Sequence, residues 1–391
     1  MHVGIASGFA NHLKVDDRRF LQEELTQLLL GAELGFESIW MTEHHFSEYS
    51  ISPNPLMYLA YIAGRHPTVR LGTQVIVAPW HDPVRLAEDI VLLDHMSGGR
   101  GIFGFGRGLS RVEYEGLRVD QSQARELFDE TVAMVMNAFE TGVLEGGEIN
   151  KQPRRELRPR PFRSLKGRSF CASGSPPSMV AAAKLGLGRL YLGQPMVGEK
   201  AQPFSNERRH DTAARLTDPT GANSGGPQKD AWLEAWREFH PGETPVQPFA
   251  SNLVFIDESG DRARELAQTY TANTFRAAVK NYELTSKHHG TIKGYESYSS
   301  MVMTEEQVEE SANTAGKGSI AGTPKEVLEQ LWAVKEARDP QGMMPHLYTG
   351  GMPHDECMRS IRLFAKECLA EMKSWPSAPL TIDGSMARAA E

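Results

Sequence analysis

The sequence has few cysteines and no long apolar run, and these shortages exclude several classes of protein. Cys171, Cys357 and Cys368 are the only cysteines in 391 residues, and they have neither the spacing of a metal site nor the even number of a disulfide framework. No apolar stretch approaches the ~20 residues that cross a bilayer. A strand-like pattern begins at once at Met1, which leaves no room for a signal peptide. We therefore expect a soluble cytoplasmic protein with no metal site and no membrane contact.

Positive charge is also in short supply. The chain has 42 Lys and Arg against 50 Asp and Glu, which gives a formal net charge of −8. A nucleic-acid surface requires clustered basic side chains, so this balance argues against a nucleic-acid partner. Hydrophobic residues make up 40% of the chain, which is enough to bury a large core.

Strand-like and helix-like segments alternate along the chain. Strand patterns occur at 2–7, 36–41, 69–78, 101–106, 168–172, 188–192, 249–256 and 344–349. Helical patterns follow at 16–34, 53–64, 83–97, 121–141, 175–186, 227–239, 259–283 and 353–373. Eight such pairs predict an α/β fold of the (β/α)8 TIM-barrel type, because an open doubly wound sheet more often stops at five or six strands. We expect one barrel domain over 1–375 and a flexible tail over 376–391.

Three segments interrupt this pattern. Residues 142–167 are basic and predict an extended surface crossing, and residues 193–226, after strand six, are rich in Gly, Pro, Ser and Asn and predict a long mobile loop. Residues 284–322 are polar and precede the last strand, which is a common place for a lid over an active site. An extra helix is predicted at 323–337, after Gly322-Thr323-Pro324.

The tetrapeptide Glu43-His44-His45-Phe46 follows the second predicted strand. Catalytic groups of α/β barrels lie at the C-terminal ends of the strands, and histidine is the side chain most easily tuned to exchange protons near neutral pH. Alternatively, one or both histidines are hydrogen-bonded structural residues.

The segment that begins at Asp82, after the third predicted strand, has a mainly structural interpretation. Asp82 can cap the following helix, and Arg85 can pair with Asp89 at i, i+4.

Two glycine-containing segments predict a phosphate site. In the run from Gly98 to Leu109, glycine lets the backbone approach a flat or phosphorylated ligand, and Arg107 can grip a phosphate. A dinucleotide fingerprint requires glycines that open a helix, but here the next helix is predicted only near Ser122. Ser175 or Ser178 caps the helix after strand five, whose free N–H groups attract an anion. Together with Arg107 they predict a phosphate cradle.

The chain resembles the bacterial luciferase-like family of flavin-dependent monooxygenases, and most closely the luciferase α subunit. The resemblance is carried in chain order by Glu43-His44-His45-Phe46, Asn54-Pro55, Pro83-Val84-Arg85, Ala87-Glu88-Asp89, Leu92-Leu93-Asp94, Gly99-Arg100 and Arg107-Gly108-Leu109. Weaker similarity continues through Gly322-Thr323-Pro324 and the final helix.

The resemblance implies that reduced FMN binds at the C-terminal mouth of the barrel. His44 matches the catalytic histidine that helps to form and protect the flavin C4a-peroxide, and Glu43 and Glu113 match acidic positions near the site. Arg107, Ser175 and Ser178 match phosphate-binding positions, and Leu109 matches one close to the flavin. Gln74-Val75 falls where the family often has a non-prolyl cis peptide under the isoalloxazine ring.

Four positions depart from luciferase. Gly106 stands in place of a cysteine and Gly174 in place of a glutamate, both at cofactor-binding positions, while Ser110 replaces an aromatic residue and Asp82 a histidine. These changes affect the substrate side more than the phosphate side. Light emission and a long-chain aldehyde substrate are therefore not implied.

We expect a two-component FMNH2-dependent monooxygenase that uses O2 to oxygenate a small organic substrate. Because the sequence shows no second nucleotide site, we expect a separate NAD(P)H:flavin reductase to supply the reduced cofactor, and we also expect a homodimer. One alternative is a deazaflavin (F420)-dependent hydride-transfer oxidoreductase on the same fold, and another is a non-catalytic flavin-binding partner subunit. The sequence does not choose between hydroxylation, Baeyer–Villiger oxidation and aldehyde oxidation.

Overall fold

A computed structural model describes residues 1–192, 227–377 and 380–383. The predicted loop at 193–226 and the end of the predicted tail, 384–391, lie outside the described residues. Within the described ranges, no helix is long and apolar enough to cross a membrane.

Eight parallel strands close into a barrel, which confirms the predicted fold. In chain order the strands are β1 (His2–Ser7), β2 (Ser38–Met41), β3 (Arg70–Val77), β4 (Gly101–Gly106), β5 (Val143–Gly146), β6 (Gln152–Glu156), β7 (Ser169–Ala172), β8 (Gly188–Leu192), β9 (Phe249–Ile256), β10 (Ile320–Gly322) and β11 (Gly342–His346). The barrel order is β1-β2-β3-β4-β7-β8-β9-β11, and β11 pairs back onto β1. Because every strand in this ring is parallel to its neighbours, all eight C-terminal ends open on one mouth.

Helices surround the barrel. They are α1 (Asp17–Glu33), α2 (Pro55–Arg65), α3 (Pro83–Ser97), α4 (Arg111–Leu117), α5 (Ala124–Thr141), α6 (Pro176–Lys184), α7 (Pro227–Phe239), α8 (Gly260–Asn281), α9 (Glu305–Ala315), α10 (Pro324–Arg338), α11 (His354–Glu367) and α12 (Leu369–Ser374). Asp82 caps α3 as predicted, because its carboxylate accepts the N–H groups of Val84 and Arg85. Arg85, however, pairs with Glu88 at 2.8 Å rather than with Asp89.

Within 142–167, predicted to be an extended surface crossing, the exposed strands β5 and β6 pair as an antiparallel hairpin, which the sequence did not indicate. The Glu130 carboxylate holds the hairpin turn by accepting the N–H groups of Glu148, Ile149 and Asn150 at 2.6–3.0 Å. Most side chains of β5 and β6 are polar and exposed, so the alternating pattern that reveals a half-buried strand is missing.

The prediction that no helix begins before Ser122 is wrong. The short helix α4 starts directly after its N-cap, Ser110. The dinucleotide-binding alternative is excluded by the closed barrel itself rather than by the absence of a helix after the glycines.

The segment 284–322, predicted to be a lid, contains 3-10 turns at His288–Thr291 and Glu296–Met301, then α9, a further 3-10 turn at Gly316–Gly318, and β10. Strand β10 pairs with β9 outside the barrel ring. The extra helix predicted at 323–337 is α10, which Thr323 and Glu326 start with a capping box.

Aromatic rings fill the barrel interior. Trp40 and Phe249 lie 5.0 Å apart between ring centroids, and Phe170 packs on Phe249 at 5.1 Å. Gly72 makes room for Trp40, because a Cβ atom at position 72 would come within 2.2 Å of the indole. The interior is therefore packed in the layered manner of a TIM barrel.

Part of the predicted tail packs against the base of the barrel. Thr381 Oγ1 donates to the Gly167 carbonyl at 2.7 Å, and Arg163 donates to the Ile382 carbonyl at 3.0 Å. Ile382 is fully buried. Residues 380–383 therefore pack against the barrel.

All three cysteines are buried thiols. Burial raises the pKa of Cys171 and of Cys368 to about 12 and also raises the pKa of Cys357. They contribute to the core and not to the mouth.

Glu24 on α1 is a buried acid beneath the mouth, with 1% of its surface exposed. Burial raises its pKa from 4.5 to about 8, and hydrogen bonds from Ser7 and Tyr348 oppose the shift only in part. Glu24 is therefore protonated at neutral pH in the folded protein.

We predict that Glu24→Gln makes the protein more resistant to alkaline pH. Because the folded pKa lies above the unfolded value, the stabilisation is complete below about pH 4.5 and is lost as the pH rises to about 8. The wild type should lose up to about 4 kcal/mol from this group over that interval, since one pKa unit corresponds to ~1.4 kcal/mol. Glutamine does not ionise and removes this loss.

Urea unfolding at about pH 5 and about pH 8 measures the effect. Glu33→Gln, an exposed acid on the same helix, is the matched control and should follow the wild type. The assignment fails if Glu24→Gln and the wild type lose equal stability between the two pH values.

Candidate functional site

A cavity of about 300 Å³ lies in the barrel mouth. The predicted site residues His44, Gln74 and Val75 line it. Its remaining walls come from strands β7, β8, β9 and β11, from the loops after β1, β2 and β11, and from helix α8: Gly8, Ala10, Thr42, Tyr49, Ala172, Leu190, Tyr191, Ser251, Leu253, Thr274, Met344, His346, Tyr348 and Thr349. The cavity therefore collects side chains from strands that are far apart in sequence.

His44 is held at the cavity wall by a buried carboxylate. Its Nδ1 lies 3.0 Å from Oε1 of Glu113, and the same oxygen accepts the backbone N–H of His45 at 2.8 Å. Glu113 is 1% exposed and lies in the first turn of α4. Since a carboxylate accepts at Nδ1, the other ring nitrogen, Nε2, is available for chemistry.

Two tyrosines enclose the His44 ring. Tyr49 packs edge-on at 4.9 Å between centroids, and the hydroxyl of Tyr282 lies 3.5 Å from His44 Nε2. Burial raises the pKa of both Tyr49 and Tyr282, so both are neutral hydroxyls. The two rings packed against His44 therefore present uncharged hydroxyl groups.

The carboxylate of Glu43 holds the other histidine of the tetrapeptide, His45. It contacts His45 Nε2 at 3.3 Å and His81 Nε2 at 2.8 Å and accepts the N–H of Val77 at 2.7 Å. Burial alone would raise the pKa of Glu43, but the hydrogen bonds from His45 and His81 outweigh it and lower the pKa. His45 also packs against Trp80 at 5.4 Å, so it is part of the structural support beside His44.

The Gln74–Val75 peptide bond is cis, as expected from the resemblance. The pairing of β3 with β4 shifts register at this point, between Thr73 and Ile76. Val75 packs so closely on Gly106 that a Cβ atom there would lie 2.3 Å from Val75 Cγ2. Glycine at 106 is thus a packing requirement of Val75.

The predicted phosphate residues Ser175 and Ser178 meet an arginine that the sequence analysis missed. The two serine hydroxyls lie 2.9 Å apart, and Arg125 donates to Ser178 Oγ at 2.8 Å. Pro176 and Pro177 occupy the first turn of α6 and have no N–H, so the helix offers fewer backbone donors than predicted. The guanidinium of Arg125 supplies positive charge in their place.

Arg107 follows β4, the neighbour of β7, and is held by the segment 284–322. It donates to the Gly294 carbonyl at 2.7 Å, and its guanidinium stacks 3.9 Å from the centroid of Tyr295. Burial raises the pKa of Tyr298, and the charges of Arg107 and Arg125 both oppose that rise. Both arginines are therefore close enough to Tyr298 for their charges to act on its hydroxyl. We refer to Arg107, Arg125, Ser175 and Ser178 together as the rim.

Not every predicted residue faces the cavity. Glu43 and Glu113 lie behind its wall, and Leu109 packs in a small cluster with Tyr114 and Tyr295. Gly174 has open space where a side chain would be. The residues missed from sequence include Tyr49, Arg125, Ser251, Tyr282 and His346. Of these, His346 ends the last strand, and the rule that selected His44 would have selected it too.

The rim and the cavity fit a flavin-type cofactor that carries an anionic group. Ala172 lines the cavity three residues before Ser175, so an anion bound at the rim would lie next to a pocket with a cis peptide in its wall. Hydroxyl and guanidinium groups are the donors that bind phosphate best.

The model of the luciferase-like monooxygenase family matches residues 1–202. The chain belongs to this family. The alkanal monooxygenase α chain of Photorhabdus laumondii is 35% identical over 132 residues, which cover 32% of this chain and 37% of that one. An alkanal monooxygenase α chain of Photorhabdus luminescens is 22% identical over 365 residues, or 91% of this chain and 94% of that one. The stronger local alignments thus span about a third of the relatives' length.

Solved structures share the fold over almost the whole chain. The monooxygenase RslO1 of Streptomyces bottropensis is 24% identical with a TM-score of 0.65, covering 95% of this chain and 100% of that one. The oxygenating constituent of 3,6-diketocamphane monooxygenase from Pseudomonas putida, in complex with FMN, is 15% identical with a TM-score of 0.64 and covers 94% and 97%. The F420-dependent tetrahydromethanopterin reductase of Methanopyrus kandleri is 16% identical with a TM-score of 0.61 and covers 95% and 99%.

Proposed function

We propose that this chain is the oxygenase of a two-component system, which uses reduced FMN and O2 to oxygenate a small organic substrate. The observation that carries the proposal is the meeting, at one mouth, of the His44–Glu113 pair, the cavity and the arginine rim. Family membership and the FMN complex of the diketocamphane enzyme support it.

Arg107, Arg125, Ser175 and Ser178 would hold the phosphate of FMN, with the ring over Gln74–Val75. Bound reduced flavin would supply the oxygen activation. Since the proposed rim fits one phosphate group, we propose that a separate NAD(P)H:flavin reductase provides the reduced cofactor.

His44 would hold or transfer a proton at Nε2. Glu113 orients the ring through Nδ1 and stabilises the imidazolium when Nε2 gains a proton. Tyr49 and Tyr282 cover the ring and reduce the access of water. His44 would therefore take part in proton transfer, whereas His45 would contribute only packing and hydrogen bonds.

We also propose a homodimer through the outer face of α2 and α3. Met57 and Tyr61 on α2 are 70% and 48% exposed, and Leu92 and Met96 on α3 are 44% and 60% exposed. Large apolar side chains at i, i+4 on two adjacent helices form the kind of surface that a second copy covers.

Sedimentation of the purified chain should give the mass of a dimer. Met57→Glu together with Met96→Glu should shift it to a monomer, because two charges would be buried without partners. Leu13→Glu changes a residue that is 63% exposed outside these helices and should leave the dimer intact. A monomeric wild type would contradict this proposal.

We predict that the phosphate charge contributes strongly to cofactor binding. The wild type should therefore bind FMN far more tightly than riboflavin, which has no phosphate. Arg107→Ala and Arg125→Ala should each remove a charge-assisted contact of about 1.5–3 kcal/mol, or at least about tenfold in Kd for FMN. Neither variant should change the affinity for riboflavin. Fluorescence titration measures both ligands.

The matched control is Arg85→Ala, whose side chain pairs with Glu88 on the exposed face of α3. Titration with F420 tests the alternative, a hydride-transfer oxidoreductase, which the fold shared with the tetrahydromethanopterin reductase favours. Equal affinities of the wild type for FMN and riboflavin would exclude the cradle. Preferential binding of F420 would favour the alternative.

For catalysis, we predict that His44→Ala folds, binds FMN and loses coupled oxygenation by about 10²–10⁴-fold, because a positioned proton-transfer group is gone. His45→Ala should instead lower the melting temperature more than the rate, since it removes the contacts to Glu43 and Trp80. Substrate turnover, hydrogen peroxide yield and thermal unfolding of both variants distinguish the roles. A His44→Ala enzyme with the coupled rate of the wild type would refute the assignment.

A further inference from the structure

The two arginines of the rim differ in how their positive charges are balanced. Arg125 lies 3.5 Å from the carboxylate of Asp129. Arg107 is half-buried, and no carboxylate of residues 1–192, 227–377 and 380–383 forms an ion pair with it. A partly desolvated guanidinium without a carboxylate partner can bind an external anion strongly.

The ring of Tyr295 supports the guanidinium of Arg107. Tyr295 is fully buried, and its ring centroid lies 3.9 Å from Cζ of Arg107. Its hydroxyl donates to the Gly108 carbonyl at 2.8 Å, so one side chain contacts both the guanidinium and the backbone that follows it. Stacking covers a face of the planar guanidinium and leaves the N–H groups at its edge open to acceptors.

Gly294 holds the same guanidinium through its carbonyl, which accepts from Nη1 at 2.7 Å. Its φ of +81° is one that other residues rarely adopt, and a Cβ atom there would lie 2.8 Å from Nη1 of Arg107. Glu296 Oε1 accepts the N–H of Gly294 at 2.9 Å, which fixes the turn that presents the carbonyl. Glycine is therefore required at position 294 for Arg107 to approach the backbone.

The contacts with Gly294 and Tyr295 orient Arg107 independently of a ligand. Among the described residues, the Gly294 carbonyl is the one acceptor for the guanidinium, so most of its five N–H groups remain for a ligand. A side chain that is already oriented loses less conformational freedom on binding. Such preorganisation strengthens phosphate binding without adding a contact to the phosphate.

We propose that Gly294 and Tyr295 position Arg107 for a phosphate group, and that Tyr295 thereby increases the preference for a phosphorylated flavin. This role rests on the cofactor proposed above and adds a positioning residue 188 positions from Arg107 in the sequence. The resemblance to luciferase assigns no role to Gly294 or to Tyr295.

A role of Tyr295 in packing alone would have a different consequence. Tyr295 also belongs to a small cluster with Tyr114 and Ala124. If its ring only filled space, its removal would change the affinities for FMN and riboflavin by the same factor, or would lower stability alone. The ratio of the two dissociation constants therefore separates positioning from packing.

Fluorescence titration of Tyr295→Leu measures this ratio. The variant should bind FMN about three- to tenfold more weakly than the wild type, as expected for one lost cation–π contact, and should keep its affinity for riboflavin. Tyr295→Phe retains the ring and should restore most of the FMN affinity. Gly294→Ala places a methyl group against Nη1 and should also weaken FMN binding selectively.

Trp332→Leu is the matched control, because it removes an aromatic ring from a different cation–π pair. Lys335 Nζ lies 5.3 Å from the centroid of Trp332 on α10, and neither residue lines the cavity. This change should lower the melting temperature without changing the ratio. Thermal unfolding of each variant shows whether it is folded.

The orientation of Arg107 can also be measured without flavin. In protein labelled with ¹⁵N-arginine, the Nε–H signal of Arg107 is identified by its loss in Arg107→Ala. The ring current of Tyr295 should shift this signal in the wild type and in Tyr295→Phe but not in Tyr295→Leu. Inorganic phosphate should shift it further in the wild type, because the anion binds at the edge of the guanidinium.

The proposal is overturned if Tyr295→Leu changes both flavin affinities by the same factor, or if its Arg107 signal matches that of the wild type. If Tyr295→Leu does not fold, an unchanged ratio in Gly294→Ala overturns it instead. A wild type that binds FMN and riboflavin equally, but whose Arg107 signal responds to inorganic phosphate, supports the positioned anion site and refutes the proposed cofactor. The two failures are therefore distinguishable.

Discussion

The closed ring of parallel strands is the constraint on which the rest of the structure depends. Because β11 pairs with β1, the eight strands point the same way and end around one opening. His44, Gln74 and His346 come from three different strands, yet all line one cavity. The aromatic layer of Trp40, Phe170 and Phe249 closes the barrel below them.

Two buried carboxylates give two adjacent histidines different hydrogen-bond partners and therefore different roles. Glu113 holds His44 at the cavity wall through Nδ1, whereas Glu43 contacts His45 and His81 behind it. Neighbouring residues with the same side chain thus have different surroundings. A buried carboxylate without such donors would be costly, so each acid and its imidazole stabilise one another.

The strands and most helices were predictable because burial leaves apolar patterns such as Ile39-Trp40-Met41. The hairpin of β5 and β6 was not, because its side chains are polar and exposed. The predicted rim residues Ser175 and Ser178 meet in the structure, but their partner Arg125 lies 53 positions from Ser178, a separation that no local pattern reveals. The contact between His44 and Glu113 spans 69 positions, and the family resemblance implied only that Glu113 lies near the site.

The three buried cysteines make the folded chain nearly inert to thiol reagents. A thiolate is the reactive species, and burial keeps Cys171, Cys357 and Cys368 both protonated and inaccessible. Each thiol becomes modifiable only when its part of the barrel opens. The labelling rate of each cysteine therefore reports how often its part of the native structure opens. Cys171 reports on β7, Cys357 on α11, and Cys368 on the residue that follows α11. A cysteine introduced at the mouth could then be labelled alone in the unaltered background.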